Sequence, residues 1–178
     1  FFTYAAFAGL FFCCNEAYAQ RAGVRQRGGF QSTVTTAAAT NYWREVASGA
    51  PAVQLMPFTP SRYLVYTLNE AALRVRMFSV SSDPASGVVI KLPMPDGTIR
   101  DFKVWQDQML PGRLAERYPD IRTFTAEAVN DHRVTAKLDF TLFGFHAVVF
   151  ESGNTSFIDP YDHFHDGYYF VHYKRDEA

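Results

Sequence analysis

Residues 88–105 read VVIKLPMPDGTIRDFKVW, and this stretch decides the fold. Val88 to Leu92 is an apolar run of strand length. Asp96-Gly97 tolerates the positive φ angles of a tight hairpin turn, and Thr98 to Trp105 alternates as the returning strand. Pro93 and Pro95 lack an amide donor, so they predict an edge strand or a distorted pairing. Ile99 lies between Thr98 and Arg100, which gives the hairpin one apolar face and one wet face.

The same pattern continues on both sides. Residues 121–125, 134–140, 144–150, 155–160 and 168–173 read as further strands, and the connections after residue 85 are mostly short. Upstream, residues 62–66 form a strand candidate. Asn69 then opens a helix with Ala71, Leu73 and Met77 as its inner positions. Pro111 begins a short helix that Pro119 closes, because a missing amide costs nothing in a first helical turn. A third short helix is expected over residues 41–46, capped by Asn41, and prolines break residues 49–61 into loop. The expected class is α+β: a mostly antiparallel β-sheet, meandering after residue 85, with two or three short helices.

Residues 1–19, FFTYAAFAGLFFCCNEAYA, have another character: an apolar run of signal-peptide length followed by Ala17-Tyr18-Ala19, an A-x-A cleavage pattern. Without an initiator Met or a basic start, the segment reads as an N-terminally clipped signal peptide. A buried N-terminal helix is the alternative. Residues 20–40, rich in Gly, Arg, Ser and Thr, read as a flexible or extended leading segment. The β-rich domain is placed at 41–176 and the start of a linker at 177–178. Export implies a secreted or cell-envelope location. Both cysteines, Cys13 and Cys14, lie in the leader, where Phe11 and Phe12 occupy positions a lipidation signal reserves for small residues. The remainder therefore offers no disulfide frame, thiolate nucleophile or Cys-zinc site. It carries seventeen basic and seventeen acidic side chains, since Glu16 is the only charged residue before Gln20, and no basic block for nucleic acid. No apolar run reaches bilayer length, so no membrane span is expected in the mature form.

Chemistry-bearing motifs are sparse. Gly28-Gly29 lacks the setting of a phosphate loop, Ser152-Gly153 lacks that of a nucleophile elbow, and no His-Glu-x-x-His occurs. No catalytic or cofactor-binding residue is assigned. The densest cluster is Asp162, His163, His165 and Asp166, where two imidazoles on one face of a strand and flanking carboxylates are a candidate metal set. The same residues read first as a plain solvated loop, with a partner contact or a pH-sensitive patch as further readings. His146 is read as a packing residue or a backbone hydrogen-bond donor, His132 as a turn residue and His172 as an ordinary strand residue. Asp159 and Asp162 have the spacing of an acid–base pair, but Asp-Pro-Tyr-Asp reads better as a turn in which Asp159 accepts from backbone amides. Trp43, Trp105 and the tyrosine-rich strands read as core before they read as a carbohydrate platform. Asn154-Thr155-Ser156 matches an N-glycosylation acceptor, relevant only in a eukaryotic secretory route.

Several stretches together carry a resemblance: 43–46 WREV, 60–69 PSRYLVYTLN, 89–98 VIKLPMPDGT, 102–104 FKV, 114–124 LAERYPDIRTF, 139–147 DFTLFGFHA, 157–161 FIDPY and 173–176 YKRD. Over residues 41–176 the chain resembles the N-terminal pro-region of secreted bacterial reprolysin-like zinc metallopeptidases, a Bacteroidetes-type family whose members often end in a secretion sorting domain. The resemblance implies a zymogen pro-region that assists folding, maintains latency, or both. It implies a catalytic metallopeptidase domain in cis as partner, with zinc in that downstream domain and no cofactor in this segment. The family's catalytic motif has no counterpart here, so no catalytic residue carries over. A secreted binding or adhesion module is the alternative, and a small hydrolase built on the Asp/His cluster is a third reading.

Overall fold

The computed structural model describes residues 39–46, 60–161 and 167–177. The hairpin forms as its turn chemistry dictates. β3 (Val88–Pro93) and β4 (Ile99–Asp107) pair with Ile90 opposite Phe102 and Pro93 opposite Ile99. Asp96 Oδ1 accepts from the Thr98 amide at 2.9 Å, and Gly97 takes a φ of 84°. An antiparallel meander follows through β5 (Arg122–Ala128), β6 (Asp131–Thr141), β7 (Gly144–Glu151), β8 (Asn154–Pro160) and β9 (Tyr168–Tyr173). β9 returns beside β2 (Leu64–Leu68), which pairs with β1 (Trp43–Glu45). The order β1-β2-β9-β8-β7-β6-β5-β4-β3 leaves β1 and β3 as the two edges. The edges curl toward each other, and the Trp43 indole donates to the Lys91 carbonyl at 2.9 Å. The sheet is thus a nearly closed barrel whose seam is bridged by a side chain.

Strand periodicity fills the interior. Phe124 and Ala126 on β5, Ala136, Leu138 and Phe140 on β6, and Phe145, Ala147 and Val149 on β7 are all buried, with their sequence neighbours facing outward. α1 (Glu70–Phe78) plugs the end where β5, β7 and β9 begin. Asn69 caps it, accepting from the Ala72 amide at 3.2 Å. Leu73 and Met77, one turn apart, enter the core with no exposed surface. Ala71 is exposed, contrary to the expectation that it faces inward: the helix is short, and one Leu–Met stripe fills the space beneath it.

Polar contacts fix the plug. Tyr169 Oη donates to Glu70 Oε2 at 3.0 Å and accepts from the Phe145 amide at 3.3 Å. Arg122 Nη1 donates to the Phe78 carbonyl at 2.9 Å. Gly144 sits against this lock at φ 110°, where a Cβ would lie 3.2 Å from Tyr169 Oη, so both backbone and space favour glycine. Replacing Tyr169 with Phe should destabilise the domain by about 1–3 kcal/mol, because the Phe145 amide loses its partner in a buried place. Urea unfolding checks this, and an unchanged midpoint would show that the lock contributes nothing.

Two expectations need further correction. Residues 43–45 form a strand, not a helix: the Asn41 side chain accepts from the Trp43 amide at 3.0 Å, and pairing with residues 66–68 overrides local helical propensity. The second short helix is α2 (Gly112–Arg117), with Pro111 at its N-cap position rather than inside it. The leader at 1–19, most of the segment at 20–40 and most of the expected loop over 49–61 lie outside the described residues. No described helix is long and apolar enough to cross a membrane.

Candidate functional site

The outward positions of the meander bring titratable side chains into a row. Two-residue turns at Leu142-Phe143 and Ser152-Gly153 set the registers. Asp139 of β6 stands opposite His146 of β7. The β7–β8 register, carried one residue beyond the Ala147–Ile158 pair, sets His146 opposite Asp159. Asp159 pairs with Phe170, and its carboxylate reaches diagonally to His172.

The distances describe a loose chain of charges. His146 Nδ1 lies 3.8 Å from Asp139 Oδ1, and His172 Nε2 lies 3.8 Å from Asp159 Oδ2. On its other side His172 Nδ1 faces Glu177 Oε1 at 3.8 Å and the Tyr173 carbonyl at 3.3 Å. Phe157 stacks on the His172 ring at 5.6 Å. Asp139 Oδ1 and His146 Nε2 are buried atoms without a hydrogen-bond partner, so this row carries unsatisfied polar capacity. Burial pushes the Asp139 carboxyl above its ordinary range, His146 draws it partly back, and the Asp159 charge raises it again. Burial works against a charged His172, but Asp159, the Tyr173 carbonyl and Glu177 together outweigh it and hold the pKa above the ordinary imidazole value.

A second cluster lies further round the wall. Lys137 Nζ donates to Asp107 Oδ2 and to Thr125 Oγ1, both at 2.7 Å, and Thr125 Oγ1 donates to Asp107 Oδ2 at 2.9 Å. A threonine between a lysine and a carboxylate has the residue types of a nucleophile with its base. The charges argue otherwise. The bonds from Lys137 and Thr125 hold the Asp107 carboxyl below its ordinary range, so it is a poor base, and Lys137 acts as a donor. The cluster is a pin across three strands, lost only as the pH falls through that lowered carboxylate range.

Neither cluster has the parts of an active centre. Among the described residues the imidazoles of the row face carboxylates and a backbone carbonyl rather than a hydroxyl or thiol. The cavities lie at the margins of the two clusters, Asp107 lining one and Tyr173, next to His172, lining another. One of about 590 Å³ at the barrel mouth is lined by Arg62, Tyr63, Asp96, Tyr173, Arg175 and Asp176, and one of about 300 Å³ lies between the end of β4 and the start of β5. Among the described residues no group of three His, Cys, Asp or Glu side chains is placed to hold a metal ion.

The candidate metal set Asp162, His163, His165 and Asp166 lies outside the described residues. Asp159 is not in a turn, as its Asp-Pro-Tyr-Asp context suggests. It is a β8 residue, because Pro160 still pairs with Tyr169 and extends the strand past it. His132 belongs to β6, where it contacts Glu127 across the β5–β6 hairpin. His146 faces Asp139 through Nδ1, and its Nε2 has no hydrogen-bond partner among the described residues. His172 is 2% exposed and flanked by two carboxylates, which a residue-by-residue reading misses. Trp43 is core, whereas Trp105 is half-buried on the outer face. Asn154 accepts from Arg175 Nη1 at 3.0 Å. No protein-family profile, curated protein or solved structure matches this chain.

Proposed function

We propose that this domain is the pro-region of a secreted zinc metalloendopeptidase precursor, assisting the folding of a catalytic domain that follows it, keeping that domain latent, or both. The observation that carries the reading is where the resembling stretches fall. They supply the seam strand β1, the strand β2 with the Asn69 cap, the β3–β4 turn, the α2–β5 segment, the β6–β7 hairpin and the end of β8. Several of these are parts on which the barrel depends, among them the seam residue Trp43, the Asn69 cap and the buried Phe140, Phe145 and Ile158. The described polar clusters favour a non-catalytic role for the segment itself, since the Lys137–Asp107–Thr125 bonds hold strands together and neither cluster pairs a nucleophile with a free base. Zinc, on this reading, belongs to the following domain.

Reading the coding sequence beyond Ala178 tests the proposal. A His-Glu-x-x-His motif in the following domain supports it, and co-expression in trans then separates folding assistance from inhibition. A stop codon, or a downstream region without such a motif, overturns it. The alternative is then a secreted binding or adhesion module, which the exposed apolar side chains Met109, Leu114, Tyr118 and Leu142 favour.

A further inference from the structure

After β9 the chain does not leave the barrel. Residues 174–176 form a 3-10 turn folded back on the wall. The Ser61 amide and hydroxyl both donate to the Asp176 carbonyl, at 2.7 and 3.0 Å. Arg175 bonds Asn154 and lies 4.3 Å over the Tyr173 ring. None of these contacts involves an imidazole.

One contact does. His172 stands between a carboxylate of the wall, Asp159, and a carboxylate of the turned segment, Glu177, at equal distances of 3.8 Å. At 2% exposure its charge state is decided by these neighbours rather than by water. The other charged groups on the packed elements are few. Asp139 and His146 continue the row beyond Asp159. Arg175 is turned to Asn154, Asp176 is held through its carbonyl, and Lys174 and Arg62 flank the segment.

We propose that His172 is a proton-operated latch for the C-terminal turn. Its imidazolium bridges Asp159 to Glu177, and loss of the proton loosens residues 174–177 from the wall and widens the mouth cavity that Arg175 and Asp176 line. The latch is independent of whether a catalytic domain follows.

The direction follows from linkage. Docking sets the Glu177 carboxylate 3.8 Å from the ring, so the imidazolium attracts the turn and the neutral ring does not. The docking contribution of this pair is therefore present at pH values where His172 is protonated and is lost as the pH rises through its titration.

The test is amide hydrogen exchange of residues 173–177 between pH 5 and 9, corrected for intrinsic rates, alongside NMR titration of the His172 ring. Protection should fall about fivefold across the His172 titration, the size of one partly screened ion pair. Glu177→Gln keeps the His172 packing and should remove that dependence, leaving the turn loosened at pH 5. His172→Asn should do the same if it folds. The latch is overturned if protection of the turn is flat across the titration, if Glu177→Gln retains the wild-type dependence, or if His172 titrates at or below the ordinary imidazole value.

Discussion

Trp43→Ala should cost the domain about 3–5 kcal/mol, the range for truncating a large buried aromatic, and should do so by opening the barrel seam. Trp43 is 5% exposed and packs edge-on against Tyr169 at 5.3 Å and against Phe145 at 5.9 Å. Its indole also makes the hydrogen bond that joins β1 to β3. β1 has only three residues, so little else holds it in place once the ring is gone. Trp43→Phe separates the two contributions. It keeps most of the packing but leaves the Lys91 carbonyl without its donor, for a smaller loss of about 1 kcal/mol. Urea unfolding monitored through the remaining Trp105 reads both variants. An alanine variant within about 1 kcal/mol of the parent would mean that the seam is not where the barrel is held shut.

Most strands of this fold are visible in the sequence because their signals are local. The Asp96-Gly97 turn, the alternation of residues 134–140 and the Asn69 cap each act within a few residues, and the structure keeps all three. β1 is not visible in the same way. Asn41 before Trp43 and Arg44 has the composition of a capped helix, and only pairing with Leu68 and Tyr66, more than twenty residues away, makes it a strand. The Asp139–His146–Asp159–His172 row is hidden for a related reason. No two of its members are close in sequence, and each alone is an ordinary outward residue of a strand. The information that aligns them sits in the turns. Leu142-Phe143 carries no typical turn residue, and Ser152-Gly153 invites comparison with a nucleophile elbow before it is seen as a two-residue hairpin connection. Once those turns are placed, strand period alone brings Asp139, His146 and Asp159 to one face.

The helix that plugs the barrel provides the second large effect. Leu73→Ala should cost about 2–5 kcal/mol and Met77→Ala a similar amount, since both side chains are fully buried in the core. Val75 lies on the same helix with 75% of its surface exposed, so Val75→Ala should stay within about 0.5 kcal/mol. Helix propensity cannot produce the expected losses, because each change places alanine, the best former, in the same short helix. What differs is only the face. The neighbours of Leu73 and Met77 belong to a barrel closed by backbone pairing on nearly every side. The cavity left by truncation therefore cannot collapse easily, which places the expected loss toward the upper part of the range. Equilibrium unfolding in urea gives the three midpoints. A Leu73 variant no weaker than the Val75 variant would show that α1 lies on the barrel end without entering its core, and the Tyr169–Glu70 lock would then be its main attachment.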